Sequence, residues 1–469
     1  MVFSSLVFMY VFLPIVLILY FISPVKVKNL ILLVSGLIFY AWGEPKYIWI
    51  MVISSFVDYF AGCIMDIYDK NPKVRKMALV TSMIVDLGFL FVFKYSGFFI
   101  GNINALFGTS FKDPNLPLPI GISFYTFQSM SYTIDLYWRK IKVQKNFLNF
   151  LSYVSLFPQL VAGPIVRYED VQNEIDNRAV NINLTGEGVA IFIKGLTKKI
   201  LLANNIGSLW TSIKALDYST MSAGTAWLGI LSFTFQIYFD FSGYSDMAIG
   251  LGKMLGFNFP INFDHPYMSK SISEFWRRWH ITLGSWFRNY IYIPLGGNRK
   301  GKFRTLVNLM VVWAATGFWH GASWNFIFWG IYFGVLIIIE RLGWGKILEK
   351  LPPFVSTLYT FILVVFGWVF FDIEGFGNAC NYVGAMFGAG GSFIDSYAKY
   401  QLGSYFIMFM FCIIASTDWV SKFITGIRKN PKTSKFYMTA APVVQAVLML
   451  ISTAYLVDAT YNPFLYFRF

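Results

Sequence analysis

Long apolar runs separated by short charged clusters set the pattern of this chain from its first residue. The opening run reaches Ile22 and is followed by Lys26 and Lys28; a second ends at Trp42 before the turn Gly43-Glu44-Pro45, and a third ends near Met65. A basic loop with Lys70, Lys73, Arg75 and Lys76 leads into a run to about Ile100 and a nearly uncharged loop to Pro119. The next run closes at Trp138, ahead of Arg139, Lys140, Lys142 and Lys145. A hydrocarbon layer of about 30 Å takes about 20 apolar residues to cross as a helix, so each run predicts a spanning helix. The basic clusters fall on alternate loops, which predicts that those loops are cytoplasmic and the N-terminus outside.

Residues 305–339 contain no Asp, Glu, Lys or Arg and a single histidine, His320. One straight helix of that length would run roughly 52 Å at 1.5 Å per residue, too long for a single crossing. Gly317 and Gly321 bracket His320, so the spacing predicts two apolar segments meeting in a break at residues 317–321. Irregular backbone in a bilayer is tolerated only where protein buries it or water lines it, and this points to a reaction site.

The middle of the chain divides less cleanly. Gly163-Pro164 must interrupt a helix, and Asp240 and Asp246 interrupt apolar sequence around Gly243, where a helix break is predicted. Each of these carboxylates needs a partner or a helix end. Residues 262–304 are rich in Arg and Lys yet carry Trp276, Trp279, Trp286, Phe287 and Tyr290. Too charged to span, they are expected at the cytoplasmic face or as re-entrant helices. Further spans are expected near residues 358–371, 405–424 and 441–457.

Composition confirms the class. Of 469 residues 56% are hydrophobic, 20% aromatic and 13% charged, and no polar block is long enough for a separate soluble domain, so residues 1–469 read as one polytopic membrane unit. The first run lacks a basic leader and a cleavage site, and is expected to stay as the first helix. A net charge of +14 raises nucleic acid as a partner, but the cations sit in clusters between apolar runs. Positive-inside loops and contacts with anionic membrane lipids explain them, and no nucleic acid is expected. Three scattered cysteines, Cys63, Cys380 and Cys412, support neither a disulfide framework nor a metal knuckle, and no metal site is expected.

The chemistry then rests on three histidines, His265, His280 and His320. An imidazole in an apolar site is kept neutral by desolvation and can accept a proton near pH 7, as a general base worth about 10²- to 10⁴-fold in rate must. His320 is either that base or a core histidine bonded between helices. Helical spacing places Trp313, Thr316, His320 and Trp324 on one face, a slot for a reactive group or a packing seam. Ser271 and Glu274 have capping-box spacing, predicting a helix that carries Trp276 and His280 one turn apart. Arg277 and Arg278 suit cofactor phosphates or lipid headgroups. His265 is read as structural. There is no G-x-S-x-G elbow, H-E-x-x-H pair, Walker A loop or zinc spacing, which removes support for a serine hydrolase, a zinc protease and an ATP-driven pump.

Several stretches together resemble the membrane-bound O-acyltransferases, and within them the bacterial alginate O-acetyltransferase branch. They are DFSGYSDMAIGLGKMLGFNFPINFDHPY at 240–267, SISEFWRRWHITLGSWFRNYIYIPLGGNR at 271–299, FWHGASWNFIFWG at 318–330, FPQLVAGPIVRYED at 157–170 and the closing NPFLYFRF at 462–469. The resemblance implies an all-α integral membrane fold, a ring of tilted transmembrane helices with re-entrant segments around a central catalytic tunnel. It implies that an acyl group, acetyl being the first expectation, passes from a cytoplasmic thioester such as acetyl-CoA to a hydroxyl on the far side. His320 takes the place of the family's catalytic histidine and His280 that of the second functional residue. Trp276, Arg277, Trp319 and Trp324 are the candidates for substrate binding. Members of this branch work with an extracytoplasmic hydrolase-like protein, so such a partner, an exported polysaccharide acceptor and a bacterial cell-membrane location are expected. His320 would serve as general base, and His280 would orient the thioester or stabilise the oxyanion. Transfer to a protein or lipid hydroxyl is the alternative within the family. A proton-coupled transporter or flippase, with His320 and Asp240 as relay, is the alternative outside it, weakened by there being only one strong helix break.

Overall fold

The computed structural model describes residues 1–458 and Leu465, and every regular element among them is helical. Seven of these helices are long and apolar enough to cross a membrane: Val25–Gly43, Ile48–Ile67, Pro72–Phe107, Trp324–Leu348, Pro353–Asp372, Ser396–Ala415 and Pro431–Asp458. The opening run forms a shorter apolar helix, Phe8–Ile22. The chain divides into two units, residues 1–192 with 247–260, and residues 193–246 with 261–469.

In the first unit, helices Ile48–Ile67, Pro72–Leu90 and Ile122–Tyr137 pack against one another. Residues 122–136 of the last are all buried, although five of them are Ser or Thr. Three of the hydroxyls are satisfied within the helix: Ser129 donates to the Tyr125 carbonyl at 3.0 Å, Ser131 to the Gln128 carbonyl at 2.7 Å and Thr133 to the Met130 carbonyl at 3.1 Å. Two carboxylates join the interior by a crossed exchange. Ser82 donates to Asp58 at 2.5 Å, while Ser54, one turn before Asp58, donates to Asp86, one turn after Ser82. Arg75 is no solvated loop cation. It is buried, and its guanidinium donates to the carbonyls of Met65 at 2.8 Å and Leu136 at 2.9 Å, tying three helix ends together. Gly163-Pro164 interrupts as expected: helix Phe157–Leu160 stops, and the next helix, Tyr168–Asn177, starts only where Asp170 accepts the Arg167 amide at 3.0 Å.

In the second unit, the expected break at Gly243 is absent, and helix Ala223–Met254 runs straight through it. The glycine serves close approach instead. A Cβ there would sit 2.7 Å from the Gly195 carbonyl oxygen and 3.0 Å from the Lys199 amide nitrogen. The two carboxylates are paired across the same contact, Asp240 with Lys199, and Asp246 with Lys198 at 2.8 Å and Lys194 at 3.1 Å. The apolar stretch around His320 does divide, but one step later than predicted. Helix Lys302–His320 includes Gly317, the break falls at residues 321–323, and helix Trp324–Ile339 returns against it. Gly317 stays helical because its role is contact: a Cβ there would meet the Phe326 carbonyl oxygen at 2.3 Å. The span expected over 405–424 ends earlier, at Ala415, since the Ser416 and Thr417 hydroxyls turn back onto the Cys412 and Ile414 carbonyls, each at 2.8 Å. A separate helix, Trp419–Lys429, follows with no buried residue. Of the closing motif at 462–469 only Leu465 lies within the described residues, and its amide donates to Asp240 at 3.0 Å.

Candidate active site

The charged segment after Asn262 folds into helices of seven residues each, Ile272–Arg278 and Ile281–Phe287, too short to span. Ser271 caps the first as its spacing predicts, accepting the Glu274 amide at 3.0 Å. The return half of the box is displaced, because Glu274 accepts the Lys270 amide at 2.8 Å. A second acidic group completes the helix start. Buried Glu340 accepts the amides of Ile272 at 2.6 Å and Ser273 at 2.9 Å and the Ser273 hydroxyl at 2.7 Å. A carboxylate on free N–H groups at a helix N-terminus is favourable in both hydrogen bonding and dipole, so Glu340 fixes where this helix begins.

That helix ends at Arg278, so His280 is not one turn beyond Trp276 on a common helix. It sits between the two short helices in the left-handed region, φ 45° and ψ 54°. For a residue with a Cβ this costs roughly 1–3 kcal/mol and persists only where the surroundings impose it. Here a short extended pairing imposes it: the Asp264 amide donates to the Arg278 carbonyl at 3.0 Å, and the Ile281 amide to the Asn262 carbonyl at 3.0 Å. The side chain is 2% exposed. Its Nδ1 lies 3.1 Å from Asn262 Oδ1, and the rings of Phe241, Phe263 and Trp319 surround it at 4.7, 6.5 and 6.4 Å between centroids. Burial lowers its pKa from 6.5 to about 3, so the imidazole is neutral.

His320 is the last residue of its helix, placed there by the break that follows. Its ring meets Trp319 and Trp329 at 5.0 Å each, Phe371 at 5.3 Å and Phe326 at 6.4 Å. Trp319 therefore touches both imidazoles. Trp276 stands one ring further out, packed on Trp313 at 4.8 Å, Phe333 at 4.9 Å and Trp329 at 5.3 Å.

The structure thus brings His320, His280 and Trp319 together, with Trp276 behind them. Trp313, Thr316 and His320 are buried along one helix, as their spacing predicts. Trp324 departs from that face: it starts the following helix and is 61% exposed. Arg277 is exposed and donates to the Ser273 carbonyl at 3.1 Å, while Arg278 pairs with Glu274 at 2.7 Å. His265 lies beside Asp264 at 3.0 Å. Asp240 belongs to a buried ion pair with Lys199, which removes the basis for a relay with His320. Sequence reasoning missed Asn262, Glu340 and Phe371. Each reaches the site from another part of the chain, so no local spacing marks it. Two imidazoles walled by indole and phenyl rings, one of them held neutral, can take a proton from a hydroxyl and shelter a reactive acyl carbonyl from water.

Residues 34–373 match the model of the membrane-bound O-acyltransferase family, a span that includes both histidines. The chain is similar to a probable alginate O-acetylase of Pseudomonas putida, 38% identical over 488 aligned positions that cover 100% of both chains. It is 35% identical to a peptidoglycan O-acetyltransferase of Helicobacter pylori, over 83% of this chain and 80% of that one. A teichoic acid D-alanyltransferase of Streptococcus thermophilus is 32% identical over 47% of this chain and 56% of its own length. With its spanning helices and a match that runs through both histidines, the chain belongs to the membrane-bound O-acyltransferase family and is a multi-pass membrane enzyme that transfers acyl groups to hydroxyls.

Proposed function

We propose that this enzyme transfers an acetyl group from a cytoplasmic thioester, acetyl-CoA, across the membrane toward hydroxyls of an exported polysaccharide, with the N-terminus outside and an extracytoplasmic protein receiving or passing on the group. The observation that carries the reading is Trp319 in contact with His280 on one side and His320 on the other. The full-length relative is named for alginate acetylation and another for peptidoglycan acetylation, both polymers outside the cytoplasm. In the reaction, the acceptor oxygen attacks the thioester carbonyl while His320 takes the hydroxyl proton. A C–O bond forms, the C–S bond breaks, and the proton returns to the leaving thiolate to give free coenzyme A. His280 works on the opposite side of Trp319, and Trp276 supports the aromatic wall.

The test compares base-labile acetate on surface polysaccharide from native-host cells that carry wild-type protein or His320→Ala at matched membrane levels. Loss of acetate with the variant correctly inserted supports the reading. Undiminished acetate sinks it, and redirects attention to protein or lipid acceptors.

A further inference from the structure

Asn262 Oδ1 receives three groups at once: His280 Nδ1 at 3.1 Å, the Thr282 amide at 3.2 Å and the Thr282 hydroxyl at 2.9 Å. The amide settles the identities. A backbone N–H can only donate, so the Asn262 atom facing it must be the carbonyl oxygen and not the NH2 group. A carbonyl oxygen can only accept, so His280 Nδ1 must carry a proton. Since the ring is neutral, the proton cannot also be on Nε2.

We propose that Asn262 is a positioning residue that locks His280 as the Nδ1–H tautomer, so that Nε2 meets the reacting groups as a lone pair. This rests on the acyl-transfer reading above and changes His280's part in it. A bare Nε2 accepts a hydrogen bond or a proton; it cannot donate one to an oxyanion. His280 therefore acts as a hydrogen-bond acceptor toward the N–H or O–H of a bound substrate. The backbone supports the same end. The Asn262 carbonyl takes the Ile281 amide at 3.0 Å, so one residue holds both the main chain after His280 and the imidazole itself. The left-handed backbone at His280 turns the ring onto this residue instead of along the helix. In aligning an acceptor by a fixed partner, Asn262 does what carbonyls and carboxylates do behind functional histidines generally.

The chain has only three histidines, which makes the tautomer directly measurable. The full-length protein, labelled with ¹⁵N in its imidazoles and held in lipid nanodiscs, is examined by NMR, and His280 is assigned by the signals missing from His280→Gln. The expected result is an Nδ1 of the N–H type and an Nε2 of the bare type. In Asn262→Leu this bias is lost, and in Asn262→Asp, whose carboxylate also accepts, it is kept. With acetyl-CoA as donor, Asn262→Leu is expected to lower kcat at least tenfold with KM within about twofold, and Asn262→Asp to recover most of it. A wild-type Nε2–H overturns the inference without any variant having to fold, as does a tautomer unmoved in a folded Asn262→Leu. Full transfer activity in His280→Gln would overturn instead the catalytic reading of His280, leaving the spectra to judge the tautomer separately.

Discussion

Gly317 and Gly330 meet across the hairpin that carries His320, with Gly330 Cα only 3.1 Å from where a Cβ on Gly317 would stand. A Cβ on Gly330 would lie 2.3 Å from the Trp313 carbonyl oxygen, so both clashes are with backbone, which cannot swing aside. The two helices must move apart if either glycine gains a methyl group. Overpacking of this kind costs about 1–3 kcal/mol. Gly317→Ala and Gly330→Ala are each expected to destabilise the protein by that amount in thermal unfolding, and to lower acyl transfer more than expression loss explains, because His320 ends one of the helices. Unchanged stability and activity in both would show that the contact tolerates a Cβ.

Lys199 and Asp240 form an ion pair whose side chains are only 2% and 3% exposed. A buried charge stripped of its partner costs about 3–5 kcal/mol, whereas replacing both by apolar groups of similar volume is often neutral. Lys199→Met alone and Asp240→Leu alone are therefore expected to be severely destabilised, with the Asp240 variant also losing its bond to the Leu465 amide. The double variant should recover most of the loss. Unfolding midpoints in detergent decide this, and additive single effects would count against a coupled pair.

Much of this architecture was legible because bilayer crossing imposes a length and a composition that survive in the sequence. The spanning runs, the helix stop at Gly163-Pro164, the Ser271 cap and the isolation of His320 all follow from local residues. Glycines misled the reading. Gly243 and Gly317 look like breaks, yet each marks close helix approach, and a sequence cannot tell a missing Cβ that frees the backbone from one that admits a neighbour. The surroundings of His280 were illegible for a different reason. Glu340 and Asn262 arrive from distant segments, and the left-handed residue at His280 ends a helix that its cap and periodicity would have continued.

Ser54 with Asp58, and Ser82 with Asp86, repeat one Ser-x-x-x-Asp spacing on adjacent helices, and each serine serves the other helix's carboxyl group. The exchange fixes the register of the two helices, since a slip of one residue would break both bonds. Removing one partner of a buried hydrogen bond, so that the other is left unsatisfied, costs about 1–3 kcal/mol. Ser54→Ala and Ser82→Ala are each expected to lower stability by that amount, and the double variant by less than the sum, because the first loss already loosens the register. Differential scanning fluorimetry in detergent gives the comparison, and strict additivity would show two independent bonds.

His280 makes the pH dependence of folding testable with a definite sign. Its pKa falls from 6.5 to about 3 because burial among Phe241, Phe263 and Trp319 penalises the charged ring. Between those two values the unfolded chain holds a proton here that the folded chain does not. Acid therefore favours unfolding, and this group's contribution is fully present above pH 6.5 and declines as pH falls toward 3, where the folded ring would itself protonate. The slope is about 1.4 kcal/mol per pH unit. Wild-type protein and His280→Gln, unfolded in parallel from neutral pH to pH 4, are expected to diverge below pH 6.5, the wild type losing stability faster. Curves that stay parallel throughout would mean that the buried imidazole already takes up a proton in the folded state, and with it the neutral ring on which Asn262 acts would be lost.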